Sequence, residues 1–488
     1  MKTFGKERVV LLLPELLKDW PCTVHGGDFR IDITGITEQS VRVKKGFIFV
    51  ARKGTRYDGI AHIDEAIQKG AVAIIVDRFT LTNLPKNIPV IIVPDCKKFL
   101  SYASARLAGD PSKELTIIGV TGTNGKTTVT HFIGQLLSGV GVKSAVVGTT
   151  GVFIDGEEMD VDVPSMTTFP AEYLHPLLKR CVEESVTHVV LEASSLGLSS
   201  CRLDHCEMDI GLLLNIGTDH HEEHGGETAY LMAKQRLLSM VNVMVVNEED
   251  ENCISLIKGA TVPSVFFGLQ TAAGIPFPQC EFQLPVQGDF NRLNVMAAIS
   301  ALLVLGYSTD ELFPHITDLK LPEGRMQKLE RDGVMVFIDF AHTPDALQGV
   351  LQALSEMCYG RLITVFGCGG ERDRRKRSEM GELAVYYSSN VLVTSDNPRN
   401  EDPQSIIEDI MEGFGGECSA VEAELDRRTA IRKAVFSAAP GDIVLIAGKG
   451  HEKTQHTAKG LFPFSDLLEA EKALLEKTYL YSEEIQGQ

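Results

Sequence analysis

The chain has 488 residues, 44% of them hydrophobic and 23% charged, with a formal charge of -19. That length allows about three domains, and the composition is that of a well-cored globular protein rather than a disordered one. The acidic balance argues against a general binder of nucleic acid or of anionic membranes, so an anionic substrate must be held by local Lys, Arg and backbone N–H groups. Ten cysteines lie scattered with no CxxC pair, which points to reduced thiols rather than a disulfide frame or a zinc site; no structural metal is expected. The apolar patch Val9 to Leu13 is interrupted by Pro14, Glu15 and Asp19 without a cleavage signature. No run approaches the roughly 18 apolar residues of a membrane span, so the cytoplasm is the expected compartment.

Residues 1–109 open with an amphipathic pattern, Val9 to Leu17, that predicts a helix. The strand patterns GFIFVA (46–51) and AVAIIV (71–76) come next, with a helical stretch from His62 to Lys69 between them. A small α/β binding module is expected, joined through the polar turn Asp110-Pro111-Ser112 to a second domain. From 110 to 320, LTIIGV (115–120), SAVVG (144–148), THVVLE (187–192), DIGLLL (209–214) and VNVMVVN (241–247) alternate with helical patterns. This order predicts a mainly parallel sheet covered on both faces. From 321 to 488 the arrangement recurs with VMVFIDF (334–340), RLITVFG (361–367), NVLVTS (390–395) and DIVLIAG (442–448). Ligands of open α/β sheets bind beyond the carboxyl ends of the strands, and there both sets carry polar, Gly-rich motifs. Two such edges facing across a cleft suit an enzyme that joins a phosphorylated acceptor to a second substrate.

The stretch Thr116 to Thr130, TIIGVTGTNGKTTVT, reads as a phosphate-binding loop between a buried strand and a helix. Gly122 and Gly125 let backbone N–H groups close around phosphate oxygens, while Lys126 and Thr127 supply a charge and a Mg²⁺-ligating hydroxyl. Gly122, Thr123, Asn124, Gly125, Lys126, Thr127 and Thr128 are therefore the expected triphosphate site. The strict pattern wants glycine at 120, where Val120 stands; the glycines fall at 119, 122 and 125. A Gly-rich turn without a ligand is the alternative.

Glu192 ends a strand within reach of a metal near the phosphates, or is a solvated or capping residue. The segment Asp219-His220-His221-Glu222-Glu223-His224 offers imidazole and carboxylate to a hard cation, or is a solvated loop. Lys234 falls in a helical pattern, Tyr230 to Leu238, where a surface lysine is the plain reading. Asn291 and Asn294 flank the turn into an apolar helix; Asn291 can be its N-cap, or the amides can pair with an adenine edge. Gly324-Arg325 lies at the expected hinge, and Asp339 and His342 end the first C-terminal strand. Arginine can stack on a base, and aspartate can bind ribose hydroxyls. In Asp396-Asn397-Pro398-Arg399, Pro398 fixes a turn and Arg399 presents a planar fork suited to a carboxylate; a turn with a surface arginine is the alternative. Arg372, Lys449, His451 and Glu452 converge on the same edge. Arginine donors with a glutamate acceptor suit a zwitterionic amino acid.

The motifs GTNGKTT, EASS, NIGTDHHEEH, AK (233–234), NRLN, EGRM, DFAHTPD, GCGGERDRRKR, DNPRNEDP and AGKGHE succeed one another along the whole chain. In that order they resemble the Mur ligase family. The resemblance implies an N-terminal domain for the UDP-sugar (1–109), a central P-loop ATPase (110–320) and a C-terminal Rossmann-like domain for the incoming amino acid (321–488), with ATP and Mg²⁺ as cofactors. Lys126 would hold the β- and γ-phosphates and Thr127 a Mg²⁺. Glu192 and His220 would serve a second Mg²⁺, with Lys234 carbamylated to help organise it. Asn294, Arg325 and Asp339 would serve the base and ribose, and Ser40, Thr167, Thr168, Ser194 and Arg202 the UDP-N-acetylmuramoyl dipeptide. The DNPR form resembles the members that add meso-diaminopimelate rather than L-lysine. Diaminopimelate ends in a second amino-acid head whose carboxylate Arg399 can pair, whereas lysine leaves that guanidinium without a partner. Arg372, Asp396, Asn397, Pro398, Gly448 and Glu452 would complete the pocket.

The chain departs from the family pattern at Gln39-Ser40-Val41 (usually Asp-Ser-Arg), at Thr167-Thr168-Phe169-Pro170 (Thr-Thr-Pro), at Leu196 (His), at Phe340 (Tyr) and in a short 251–287 segment. The expected reaction moves the γ-phosphoryl of ATP to the γ-carboxylate of the D-Glu of UDP-MurNAc-L-Ala-D-Glu, and the diaminopimelate amine then attacks the acyl phosphate. His342 and His451 are both candidate bases for that amine. A monomer acting on small molecules is expected, with no nucleic-acid partner and no membrane insertion. The alternatives are a ligase using L-lysine or a folate-type acceptor, and a non-catalytic nucleotide-dependent module. The presence of Lys126, Glu192, His220 and Lys234 argues against the second.

Overall fold

Apolar β-branched runs bounded by polar turns become strands close to their expected bounds. SAVVG and VNVMVVN form Ser144–Gly148 and Val241–Asn247, and AVAIIV forms Ala71–Val76. The computed structural model describes residues 10–54, 58–77, 85, 87–217, 221–270, 287–415 and 419–486. The first helix is Leu13–Leu17, shorter than expected. Pro14 lies in its first turn, where the missing N–H is tolerated, and the pyrrolidine ring disfavours helix before it; Leu11–Leu12 pair instead with Asp32–Ile33.

Among the described residues three larger sheets follow one another along the chain. The N-terminal one runs Thr23–His25, Val90–Ile92, Ala71–Val76, Phe47–Val50, Gly35–Thr37, with only its first pair antiparallel. The central sheet has the order Glu157–Glu158, Gly151–Ile154, Ser144–Gly148, His188–Glu192, Thr116–Thr121, Met208–Leu213, Val241–Asn247, Ser264–Phe267, parallel from Ser144–Gly148 onward. The phosphate-loop strand thus lies between the strand ending in Glu192 and Met208–Leu213. Phe132, Leu136 and the apolar helix Asp289–Val304 cover one face; Leu174, Leu178, Tyr230 and Leu237 cover the other. The C-terminal sheet runs Gln327–Arg331, Val334–Asp339, Ile443–Ala447, Leu362–Phe366, Asn390–Thr394, Val421–Glu424, again with one antiparallel edge pair.

Among the described residues, hairpins lie outside the sequence-based expectation, one of them Thr454–Thr457 with Gly460–Pro463. Gln327–Arg331 turns into Val334–Asp339 through Asp332-Gly333 (φ 50 and 78), and Gly151–Ile154 into Glu157–Glu158 through Asp155-Gly156 (φ 51 and 82). Asp-Gly is the pair that a turn with two positive φ angles favours, so the signal is present in the sequence. Among the described residues no helix is long and apolar enough to cross a membrane.

Candidate active site

The strand Thr116–Thr121 delivers the chain into Gly122 to Gly125, and the helix Lys126–Gly139 begins directly after. Gly125 has φ +86, and a Cβ there would stand 2.5 Å from Asn294 Oδ1, so both the turn and the buried Asn294 amide require glycine. Lys126 Nζ folds over the loop, donating to Gly122 O (2.8 Å) and Thr123 O (3.0 Å). Asn124 N–H donates to Asn215 Oδ1 (2.8 Å), and Thr123 Oγ1 lies 2.7 Å from the Tyr230 hydroxyl. Asn291 is not the N-cap: Gly288 holds that position, and Asn291 Nδ2 reaches back to Gln287 O (2.9 Å) from inside the helix.

Glu192 is neither solvated nor a cap. It is 2% exposed, and its Oε1 accepts from Thr127 Oγ1 (3.0 Å) and Thr149 N–H (2.8 Å). Its Oε2 lies 3.1 Å from Thr149 Oγ1. The same Thr149 Oγ1 lies 3.1 Å from Thr167 Oγ1. Thr168 Oγ1 donates to Glu192 O (2.6 Å), meets Ser194 Oγ (2.9 Å), and has Arg202 Nη1 on its carbonyl (2.7 Å). Thr167, Thr168, Ser194 and Arg202 therefore form one cluster against Glu192. Lys234 is also buried, its ammonium 4.9 Å from the centre of the Tyr230 ring. His220 lies outside the described residues; the short helix His221–His224 begins directly after it.

Ser40 opens a short 3-10 helix on the edge of the N-terminal sheet, and beside it that domain meets the helix Ala171–Glu183. Glu172 accepts from Thr37 Oγ1 (2.7 Å) and Glu38 N–H (3.2 Å). Burial raises its carboxyl to about 7, and the adjacent Glu38 carboxylate adds to the rise. A raised folded-state pKa gives stability that is full below the unfolded value of 4.5 and is lost as pH climbs to about 7. The Glu172→Gln variant lacks that loss. Its melting temperature relative to wild type should increase from about pH 5 to about pH 8; a difference constant across the range would contradict this account.

The hinge reaches the phosphate loop. Arg325 Nη2 donates to Thr127 Oγ1 (3.3 Å), and its guanidinium lies 4.5 Å from the centre of the Phe340 ring, which also meets His342 and His451. Asp339 accepts from Met326 N–H (2.6 Å) and Ala341 N–H (2.7 Å), so it also braces the hinge. Burial, with Arg325 and Lys453 nearby, draws His451 down to about 4.

At the C-terminal edge, Asn397 Nδ2 donates to Glu452 Oε2 (2.7 Å). The fully buried Lys449 ties both together through Asn397 Oδ1 (3.0 Å) and Glu452 Oε2 (2.7 Å). Asp396 Oδ1 accepts from Asn397 N–H, and Gly448 lies against Asp396 Oδ2. Arg399 comes after Pro398 with φ 54; its N–H donates to His456 O (3.0 Å) and its Nη1 to Gly370 O (2.6 Å). Arg372 reaches Glu223 on the central domain (2.5 Å). A cavity of about 1150 Å³ joins the two edges, lined by His131, Thr149 and Thr150 on one side and Asn397, Arg399, His451 and Glu452 on the other.

Family models match three stretches: "Mur ligase family, catalytic domain" over 32–106, "Mur ligase middle domain" over 120–302, and "Mur ligase, glutamate ligase domain" over 324–450. The chain belongs to the Mur ligase family. An Aquifex aeolicus relative named UDP-N-acetylmuramoyl-L-alanyl-D-glutamate--2,6-diaminopimelate ligase is 38% identical over 453 residues, 89% of this chain and 92% of the relative. A Clostridium acetobutylicum relative, named as the second ligase of that description, is 34% identical over 93% of this chain and 98% of its own length. A solved structure of a ligase of the same name superposes with a TM-score of 0.65 at 31% identity, covering 96% of this chain and 100% of that one.

Within this Mur ligase the largest clusters of sequence-derived residues lie around Glu192 and around Arg399, while Arg325 and Asp339 stand at the hinge and Ser40 in the N-terminal domain. Sequence reasoning misses Gly148 and Thr149, although GTTG stands at the end of a strand pattern. Their link to Glu192 joins neighbouring strands and leaves no local signature.

Proposed function

We infer that the chain is an ATP-dependent ligase that adds meso-2,6-diaminopimelate to UDP-N-acetylmuramoyl-L-alanyl-D-glutamate in peptidoglycan precursor synthesis. The observation that carries this reading is the cavity shared by the Thr149 edge and the Asn397–Arg399–Glu452 edge, in a chain whose relatives of that name match about nine-tenths of its length. Three separate sheets support the division at 1–109, 110–320 and 321–488 into sugar, ATP and amino-acid domains. The same reading makes the protein a cytoplasmic monomer acting on small molecules.

In this mechanism Lys126 leaves the loop carbonyls for the β- and γ-phosphates, and the loop N–H groups hold the remaining phosphate oxygens. Thr127 would hold one Mg²⁺, and Glu192, its Oε1 3.0 Å from Thr127 Oγ1, would hold a second with His220, carbamylated Lys234 helping to organise it; these hard donors fit Mg²⁺. The ions would supply charge neutralisation at the transferred phosphoryl group. Thr167, Thr168, Ser194 and Arg202 orient the dipeptide so that its D-Glu γ-carboxylate takes the γ-phosphoryl group, and Ser40 holds the nucleotide end. Asn294, Arg325 and Asp339 position the base and ribose. Glu452 and Asn397 receive the ammonium of the distal head of diaminopimelate, and Arg399 pairs its carboxylate, with Asp396, Pro398 and Gly448 shaping the turn and Arg372 beside it. The amine at the other end attacks the acyl carbon, its proton is released, and phosphate departs. Of the two histidines considered for that proton, His451, lowered by burial to about 4, is a weak base.

Phosphate release from ATP and UDP-MurNAc-dipeptide, measured with diaminopimelate and with L-lysine, tests the reading; release only with lysine, or with neither, overturns it. Arg399→Ala should raise the KM for diaminopimelate by about tenfold to a hundredfold and leave that for ATP nearly unchanged. An unaltered KM for diaminopimelate would remove Arg399 from the pocket.

A further inference from the structure

We propose that Glu223 is an internal competitor for Arg372, holding its guanidinium until the carboxylate of the incoming amino acid displaces it. The two residues come from different domains. Glu223 lies in the helix His221–His224, and Arg372 lies beyond the end of the strand Leu362–Phe366, with Nη1 to Oε1 at 2.5 Å.

The platform beneath Arg372 is rigid and shared with Arg399. Gly370 N–H donates to Asn397 O (2.9 Å) and Glu371 N–H to Glu401 Oε2 (3.0 Å). Glu401 is itself held by the fully buried Arg377 (2.7 Å), which also binds Asp409 (2.7 Å). A Cβ on Gly369 would stand 3.0 Å from Arg399 Nη1 and 3.6 Å from Arg372 Cγ, so the two arginines rise side by side. Burial, and then the charge of Arg372, lowers the pKa of Arg399, the sign expected of two neighbouring cations. A carboxylate between or beside them relieves that repulsion. Glu223 supplies one from within the chain, and an amino-acid substrate carries the same group.

The inference rests on the ligase reading above, in which Arg372 borders the amino-acid pocket. A guanidinium nitrogen bonded to Glu223 is withheld from the substrate, so apparent affinity for the amino acid is reduced by the fraction of chains in which the pair is closed. By linkage, amino-acid binding then releases the Glu223 helix, on the loop expected to serve the metal. Arg372 is 43% and Glu223 26% exposed. At that exposure the pair is weak enough for a substrate to displace.

The test is steady-state phosphate release by the full-length Glu223→Gln chain beside wild type. The KM for diaminopimelate should fall about two- to fivefold, the range a partly exposed pair permits. In an Arg372→Ala background the same substitution should leave the KM where Arg372→Ala alone puts it, because its effect runs through that guanidinium. A merely structural role for Glu223 would not lower the KM. An unchanged or raised KM, or a fall that persists without Arg372, overturns the proposal. A wild-type chain that turns over no diaminopimelate overturns the ligase reading and this proposal with it, and the wild-type arm alone reveals that case.

Discussion

Gly148→Ala is expected to lower kcat by about a hundredfold or more, the scale set by misplacing a catalytic group by an ångström, while the chain stays folded. A Cβ at 148 would stand 2.2 Å from Glu192 Oε1 and 2.6 Å from its Cδ. The strand Ser144–Gly148 is paired with His188–Glu192 as far as Val147 opposite Leu191, and Gly148 itself pairs with Gly151 on the other side, so the backbone has little room to withdraw. The carboxylate must move instead. It then loses Thr127 Oγ1 and the Thr149 N–H, the contacts that place it beside the phosphate loop. Hydrogen bonds to a carboxylate contribute about 1.5–3 kcal/mol each, so the melting temperature should fall by roughly 10 °C. Steady-state kinetics and a thermal melt on one preparation check both halves. Wild-type turnover in this variant would show that the position of Glu192 is not critical.

Arg427→Met is expected to destabilise the C-terminal domain by about 3–5 kcal/mol, the usual cost of breaking a buried ion pair from one side. Arg427 and Asp466 are both 0% exposed; Nε and Nη2 of Arg427 each lie 2.7 Å from a carboxylate oxygen. Nη2 also donates to Ala447 O at 2.9 Å. Removing the arginine leaves Asp466 as an uncompensated charge at the start of the last helix. It also frees the carbonyl at the end of the strand that leads into Gly448 to Glu452. Calorimetry should show a transition lowered by about 10 °C, together with a raised KM for the amino acid. The double variant Arg427→Met with Asp466→Leu should recover most of the stability, because the penalty lies in the unpaired carboxylate and not in the loss of attraction. Equal melting temperatures for the single and double variants would refute this.

The loop residues from Gly122 to Thr128 are legible because one short segment supplies strand, glycines, lysine and helix start in fixed order, and DNPR is legible for the same reason. Gln327–Arg331 is not. QKLER has no alternating apolar pattern, and its strand state comes from the Asp-Gly turn and the partner strand. The motif around Arg372 assigns it to the amino-acid edge, yet its partner in the structure, Glu223, is 149 positions away.

The phosphate loop with which the central domain begins marks the same division. Which residues can hold phosphate, metal and carboxylate is decided by chemistry that neighbours in the chain carry between them, and the order of the motifs is enough to place the family. Where Glu192 points is another matter. It depends on Thr127 in the first turn of the helix after the phosphate loop, on Gly148 and Thr149 at the end of a neighbouring strand, and on Arg325, which meets Thr127 from the hinge. Those contacts form only when parallel strands distant in sequence come into register and two domains meet. Local pattern encodes that a strand will form, but strand order and domain contact are set by the packing of the whole.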